Sequence, residues 1–305
     1  LLYNKESNWQ GAIMSNVLKT CVSLWMTLTL LVGCSQIGLT YRHLDLIIPW
    51  SLNDYLSMHS SQKDWLDERL KEHLSWHCTT QIPEYLVWLD RLQQMVETHQ
   101  VNEAGLRART AEAKQAIAVI SKEITPSAVE LLRQLDDKQV TEMQASFTKD
   151  MAKSEAKFVD QPLDEQITER AERMEKRLTP WIGKLSAQQR ARVMQWSTSL
   201  GEQNRLWIEN RAHWQALLMD AVKQRQAPGF DQRIASLLQD RETFWTPEYR
   251  QAYDRTEQAA ISLINDLMAQ SSADQQQKLL SKIADVRKDF NDLSCLKGAS
   301  KSPGN

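Results

Sequence analysis

Apolar side chains recur at three-and-four spacing along most of the chain, the period of helices that each bury one face. Trp65, Leu66, Leu70 and Leu74 predict a helix over about 61–77, and Tyr85, Trp88, Leu89, Leu92 and Met95 another over 83–98. Asn102 stands at a helix start, ahead of a stripe of Leu106, Ala113, Ile117, Ile120 and Ile124. Thr125-Pro126 then opens a short helix ending near Leu135, and Val140, Met143, Phe147 and Met151 carry the next to about Phe158. After Pro162, Ile167, Ala171, Met174 and Leu178 form a shorter stripe. The longest helix is predicted from Ser186 to Gln226, with Gly201 as a kink. Its series Val193, Leu200, Trp207, Trp214, Ala221 is apolar, but Trp196, Gln203, Asn210, Leu217 is half polar, so the seam is no clean coiled coil. A short helix over 231–239 follows Pro228-Gly229, Thr246-Pro247 starts one with Tyr253, Ala260, Ile264 and Leu267, and the last, about 273–293, carries Leu279, Ile283, Val286, Phe290 and Leu293. Pro83, Pro126, Pro162, Pro180, Pro228 and Pro247 all fall in or near the gaps, as suits a residue tolerated in a first helical turn.

No stretch alternates apolar with polar residues, and 9 Gly and 8 Pro in 305 residues are few. The fold class expected is therefore all-α: an elongated bundle of antiparallel amphipathic helices, one domain over 34–297 with a disordered polar tail at 298–305.

The N-terminal stretch breaks this pattern. From Met14 a short polar segment with Lys19 leads into an apolar run, Cys21 to Leu31, too short to span a bilayer, and then Leu31-Val32-Gly33-Cys34. Such an order reads as a signal peptide over 14–33, with 1–13 as over-extended translation. The small pair before Cys34 resembles the lipobox of bacterial lipoproteins. That resemblance implies a diacylglyceryl thioether on Cys34 as the new N-terminus, and Ser35 behind it implies passage to the outer membrane, facing the periplasm. Leu44, Leu46, Ile47, Ile48, Trp50 and Tyr55 follow within some twenty residues, which keeps the body near the bilayer. These side chains suit either the protein's own core or, for Trp50 and Tyr55, the headgroup zone.

Charge excludes one class of partner. With 37 basic and 39 acidic residues, and only Lys5, Lys19 and Glu6 removed with the leader, no strong field points at nucleic acid or anionic lipid. Processing removes Cys21 and commits Cys34, so Cys78 and Cys295 remain, and in an oxidising compartment they can pair or stay as two free thiols.

Three helix starts read alike: Leu135-Asp136-Asp137-Lys138-Gln139, Leu185-Ser186-Ala187-Gln188-Gln189 and Ser271-Ser272-Ala273-Asp274-Gln275, with Met58-His59-Ser60-Ser61-Gln62 a degenerate fourth. Each fits a capping box, in which the cap accepts from the third amide and the glutamine reaches back. The pattern also resembles the helix starts of Spy- and CpxP-type periplasmic chaperones, without their threonine, and that resemblance implies binding of unfolded or helical partners. A wider resemblance rests on Tyr41-Arg42, Leu44-Asp45, Ile48-Pro49-Trp50, Asp54-Tyr55, Trp76-His77 and the Pro83, Tyr85, Trp88 segment. It is to an uncharacterised family of proteobacterial lipoproteins known as a domain of unknown function, and it implies lipidation and a helical fold but no activity.

Candidate chemistry is sparse. His73 and His77, four apart on a helix, can face one metal, with Cys78 or His99 to complete a site. No HExxH, CxxC, GxSxG, Walker loop or GxGxxG is present, and no cofactor is expected. The sequence thus describes a lipid-anchored envelope protein with a structural or protein-binding role, a chaperone-like binder as the alternative, and a metal-binding or enzymatic protein third. An open apolar surface would favour a binder and a closed core a scaffold.

Overall fold

The computed structural model describes residues 40–299, with side chains as far as Leu296. Segment 1–13, the leader expected over 14–33 and Cys34 lie outside the described residues. The helix ending the described chain runs to Ala299, into the expected tail, and the rest of that tail also lies outside.

Twelve α-helices and no strand are found among the described residues, an all-α multi-helix bundle. In chain order α1 spans Leu44–Leu56, α2 Ser60–Trp76, α3 Ile82–Glu97 and α4 Glu103–Arg133. Then come α5 at Asp137–Phe158, α6 at Leu163–Ile182, α7 at Ala187–Ser199 and α8 at Gln203–Lys223. Helix α9 covers Phe230–Gln239, α10 Pro247–Ala269, α11 Ala273–Asn291 and α12 Ser294–Ala299. None of them is long and apolar enough to cross a membrane.

The helices pack as two rings that share α4. In one, α4 lies against α9, α9 against α8, α8 against α5, α5 against α1, α1 against α2, and α2 returns to α4. Its core joins Leu56, Met58 and Leu66 to Leu131, Leu132, Val140, Met143, Leu218, Val222, Phe230 and Ile234. In the other ring α4 lies against α3, α3 against α11, α11 against α6, α6 against α7, α7 against α10, and α10 returns to α4. Ala171, Ile182, Leu185, Val193, Trp196, Leu263 and Leu267 fill one side of it, and Leu89, Ile283 and Val286 the side nearer α3.

All four start signals form capping boxes, and they lock together in pairs. Gln62 and Gln139 exchange hydrogen bonds through their side-chain amides at 3.2 and 2.8 Å, joining the start of α2 to that of α5. Gln189 and Gln275 do the same at 3.0 Å in both directions, joining α7 to α11. Gln139 and Gln189 are wholly buried, so these amides close off helix starts and tie separate helices in one stroke.

Four boundaries differ from the sequence expectation. Pro126 and Pro180 lie inside α4 and α6 and open no new helix. Around Pro126 the turn is held by packing: Leu131 and Leu132 are buried in the shared core and the Ser121 hydroxyl donates to the Leu238 carbonyl at 2.7 Å, which outweighs the amide bond a proline removes. Gly201 breaks the predicted long helix completely. Its φ of +51° is left-handed, and the buried Arg170 guanidinium donates to the carbonyls of Ser197 and Gly201 at 2.9 Å each, satisfying the end of α7. The gap predicted ahead of Pro83 is absent, because a π turn at His77–Gln81 carries α2 into α3 and the hydroxyls of Thr79 and Thr80 donate back to carbonyls of the preceding turn.

Candidate functional site

Helix α4 sets the site. The first residue it buries is Thr125, so its first two-thirds are held without a buried anchor. One flank is tied to α10 by the Lys114–Glu257 ion pair, and the other to α3 by Arg91–Glu112 at 2.8 Å and by the Trp88 indole N–H, which donates to the Arg109 carbonyl at 3.1 Å. Between these ties the apolar stripe expected to face a core stays open. Ile117 is 62 % exposed and Ile124 40 %.

The result is an open groove of about 660 Å³ between α3, α4 and α11. Ala113, Ala116, Ile117 and Val119 form the α4 wall, Tyr85, Trp88 and Leu89 the α3 wall, and Val286, Phe290 and Trp181 close the far side. Four half-buried aromatics thus look into a trough whose polar groups, Gln81, Glu84, Arg91, Glu112 and Gln115, belong to its rim. Glu112 accepts there from both Arg91 and Arg109, at 2.8 Å each. An arrangement with an apolar interior and no converging polar groups binds by burial of surface.

At the α3 end the groove meets a polar cluster. Tyr41 and Tyr85 hold the two ring nitrogens of His77, with their hydroxyls 3.0 Å from Nδ1 and 3.2 Å from Nε2. A neutral imidazole satisfies both phenols, accepting from one and donating to the other. Burial lowers the His77 pKa, while burial first and the neighbouring Tyr85 second push the Tyr41 phenol up to about 12. Burial also raises Tyr85.

His73 and His77 do not converge. His73 turns to the Ser127 hydroxyl at 2.8 Å and lies 3.6 Å from Glu123, away from the tyrosine pair that holds His77. Cys78 is taken by a disulfide to Cys295 in α12, with Cα atoms 6.3 Å apart, and no group of three or more His, Cys, Asp or Glu able to hold a metal occurs among the described residues. Tyr55 packs against Phe147 with ring centroids 5.5 Å apart, whereas Trp50 is 70 % exposed.

A family model described as a family of unknown function, DUF6279, matches residues 54–250, more than half of the chain. The chain belongs to that family. The DUF6279 span takes in α2 to α9, and with them the α3 and α4 walls of the groove and Trp181, while Val286, Phe290 and Cys295 fall beyond it. No curated protein and no solved structure matches the chain.

Sequence periodicity placed Tyr85, Trp88, Ile117, Val286 and Phe290 on helix faces but gave no sign that they share one open surface. The available signal was small: the α4 stripe carries Ala113 and Ala116, side chains too short to fill a core between helices. Trp181 follows Pro180, a residue that in sequence reads as a gap between helices, so no helix face includes it.

Proposed function

We propose that the protein is lipidated at Cys34, faces the periplasm from a bacterial outer membrane, and holds an apolar helical segment of another envelope protein in the groove between α3, α4 and α11. The open groove is the observation that carries this reading. A scaffold gains nothing from leaving Ile117 and four aromatics partly in water, whereas a binder needs such anchors, and aromatic side chains in pockets commonly dominate binding energy. A helix suits the trough because Ala113 and Ala116 let a backbone approach closely, and because an extended peptide would want a sheet edge to pair with. The lipobox order at Leu31 to Cys34 supports the anchor. Binding, not catalysis, is the role assigned.

The test is photo-crosslinking in living cells from a benzophenone residue at position 117, with the exposed Lys153 position as control. Discrete adducts from position 117 that disappear with Trp88→Ala support the reading. Adducts equal to those from position 153 sink it, and a broad smear of sizes from position 117 alone would turn it toward the chaperone-like alternative. Mass spectrometry of the mature N-terminal peptide tests the anchor separately, and absence of an acyl mass on Cys34 refutes it.

A further inference from the structure

Helix α1 has two apolar faces. Leu52, Tyr55 and Leu56 turn inward and pack against the first core. On the opposite side Leu46, Ile47 and Trp50 lie within about 100° of arc, at helical spacing, and are 66, 41 and 70 % exposed. They include the two most exposed large apolar side chains described, Trp50 and Leu46, and all three are gathered on two turns of one helix. Exposed Arg42 and His43 border this stripe at its N-terminal end and Asp54 at the other. A helix with one face fixed to its own protein and an apolar stripe edged by charge on the other matches a body lying in a membrane interface.

We propose that Leu46, Ile47 and Trp50 form a second membrane contact, seated among the headgroups and upper acyl chains of the leaflet that holds the N-terminal lipid. This rests on the reading of Cys34 as lipidated. The occupant follows from where the chain before α1 leads: nine residues separate Cys34 from Leu44, and the ten steps between them span at most about 36 Å when fully extended. The stripe therefore stays within one tether length of the bilayer at all times, at an effective concentration a soluble partner would have to exceed. The indole of Trp50 suits the boundary itself, apolar in its rings and polar at its N–H. A single lipid would leave the body free to tumble about its tether; with the stripe seated, α1 lies flat and the groove takes a fixed orientation to the membrane.

The experiment uses the mature protein purified from membranes and reconstituted in vesicles of phosphatidylethanolamine and phosphatidylglycerol, with or without bromine on the acyl chains. Subtracting the fluorescence of Trp50→Phe isolates the Trp50 emission from that of the other tryptophans. The expected result is blue-shifted Trp50 emission that brominated lipid quenches, with quenching lost in Leu46→Ser/Ile47→Ser. A nitroxide on Leu46→Cys, reachable by oxygen but shielded from a water-soluble nickel chelate, repeats the reading with Trp50 untouched. Trp50 emission that stays red-shifted, or that shifts to the blue without quenching as it would against a second copy or another protein, overturns the proposal. Mass spectrometry of the same sample reads the acyl group on Cys34, so quenching without an acyl mass would refute the anchor and leave the membrane contact standing.

Discussion

His77 is the side chain whose surroundings make the clearest demand. Held between Tyr41 and Tyr85, it is buried enough that the fold disfavours its charged form, and burial is the cause of its lowered pKa. The unfolded chain takes up that proton near the ordinary imidazole value of about 6.5, before the folded chain does. Stability from this group is therefore complete above that pH and is lost as pH falls from there through the folded value. Thermal unfolding followed between neutral pH and about pH 5 should show a falling Tm in the wild type and a shallower fall in His77→Gln. Parallel slopes would show that His77 is no more shielded than a surface histidine.

At the scale of helices, the paired glutamines do more than cap. Replacing Ser186 by Ala removes one acceptor for the Gln189 amide and should cost about 1 kcal/mol. Replacing the wholly buried Gln189 by Leu takes the acceptor from the Ser186 N–H and leaves the half-buried Gln275 amide with the Lys184 carbonyl alone, and should cost about 2 kcal/mol. Denaturant unfolding of the two variants measures the difference, and equal losses would mean that the link between α7 and α11 adds nothing. The boxes were legible because their chemistry is local, four residues long. Their pairing was not, since Gln62 and Gln139 stand 77 residues apart and nothing in a helix start states what it will meet. Pro126 misleads for a related reason: a local cost of about 3 kcal/mol is visible in sequence, while the packing on Leu131, Leu132 and Leu238 that absorbs it is not. The open stripe on α4 was written plainly, but periodicity reports that a face is apolar and never whether anything covers it.

For the whole molecule, the bond between Cys78 and Cys295 spans a sequence separation of 217 residues. Cross-linking a loop of that length removes chain entropy from the unfolded state worth on the order of 5 kcal/mol in the loop-closure account. Cys78→Ser together with Cys295→Ser should lower the denaturant midpoint of protein prepared under oxidising conditions and leave the m-value raised, since the opened chain exposes more surface. An unchanged midpoint would mean that the unfolded chain keeps its ends together unaided. Cys78 is also 2 % exposed beside Ile82 and Leu293, so the serine pair loses packing as well as the link.

The same bond has a mechanical meaning. Cys78 sits just ahead of α3 and Cys295 just behind α11, the two helices that flank the groove. A pull on anything seated there, resisted at the N-terminal end, would run through the sulfur bridge into α2 and onward to the tether proposed at Cys34. The stretch between the two cysteines is a covalent ring, and no steady tension applied at the ends of the chain can unravel it past that clasp. With Cys34 as the anchor proposed above, the forty or so residues from there to Cys78 are free to pay out like line, which would make α1 and α2 a shock absorber and the ring the hook.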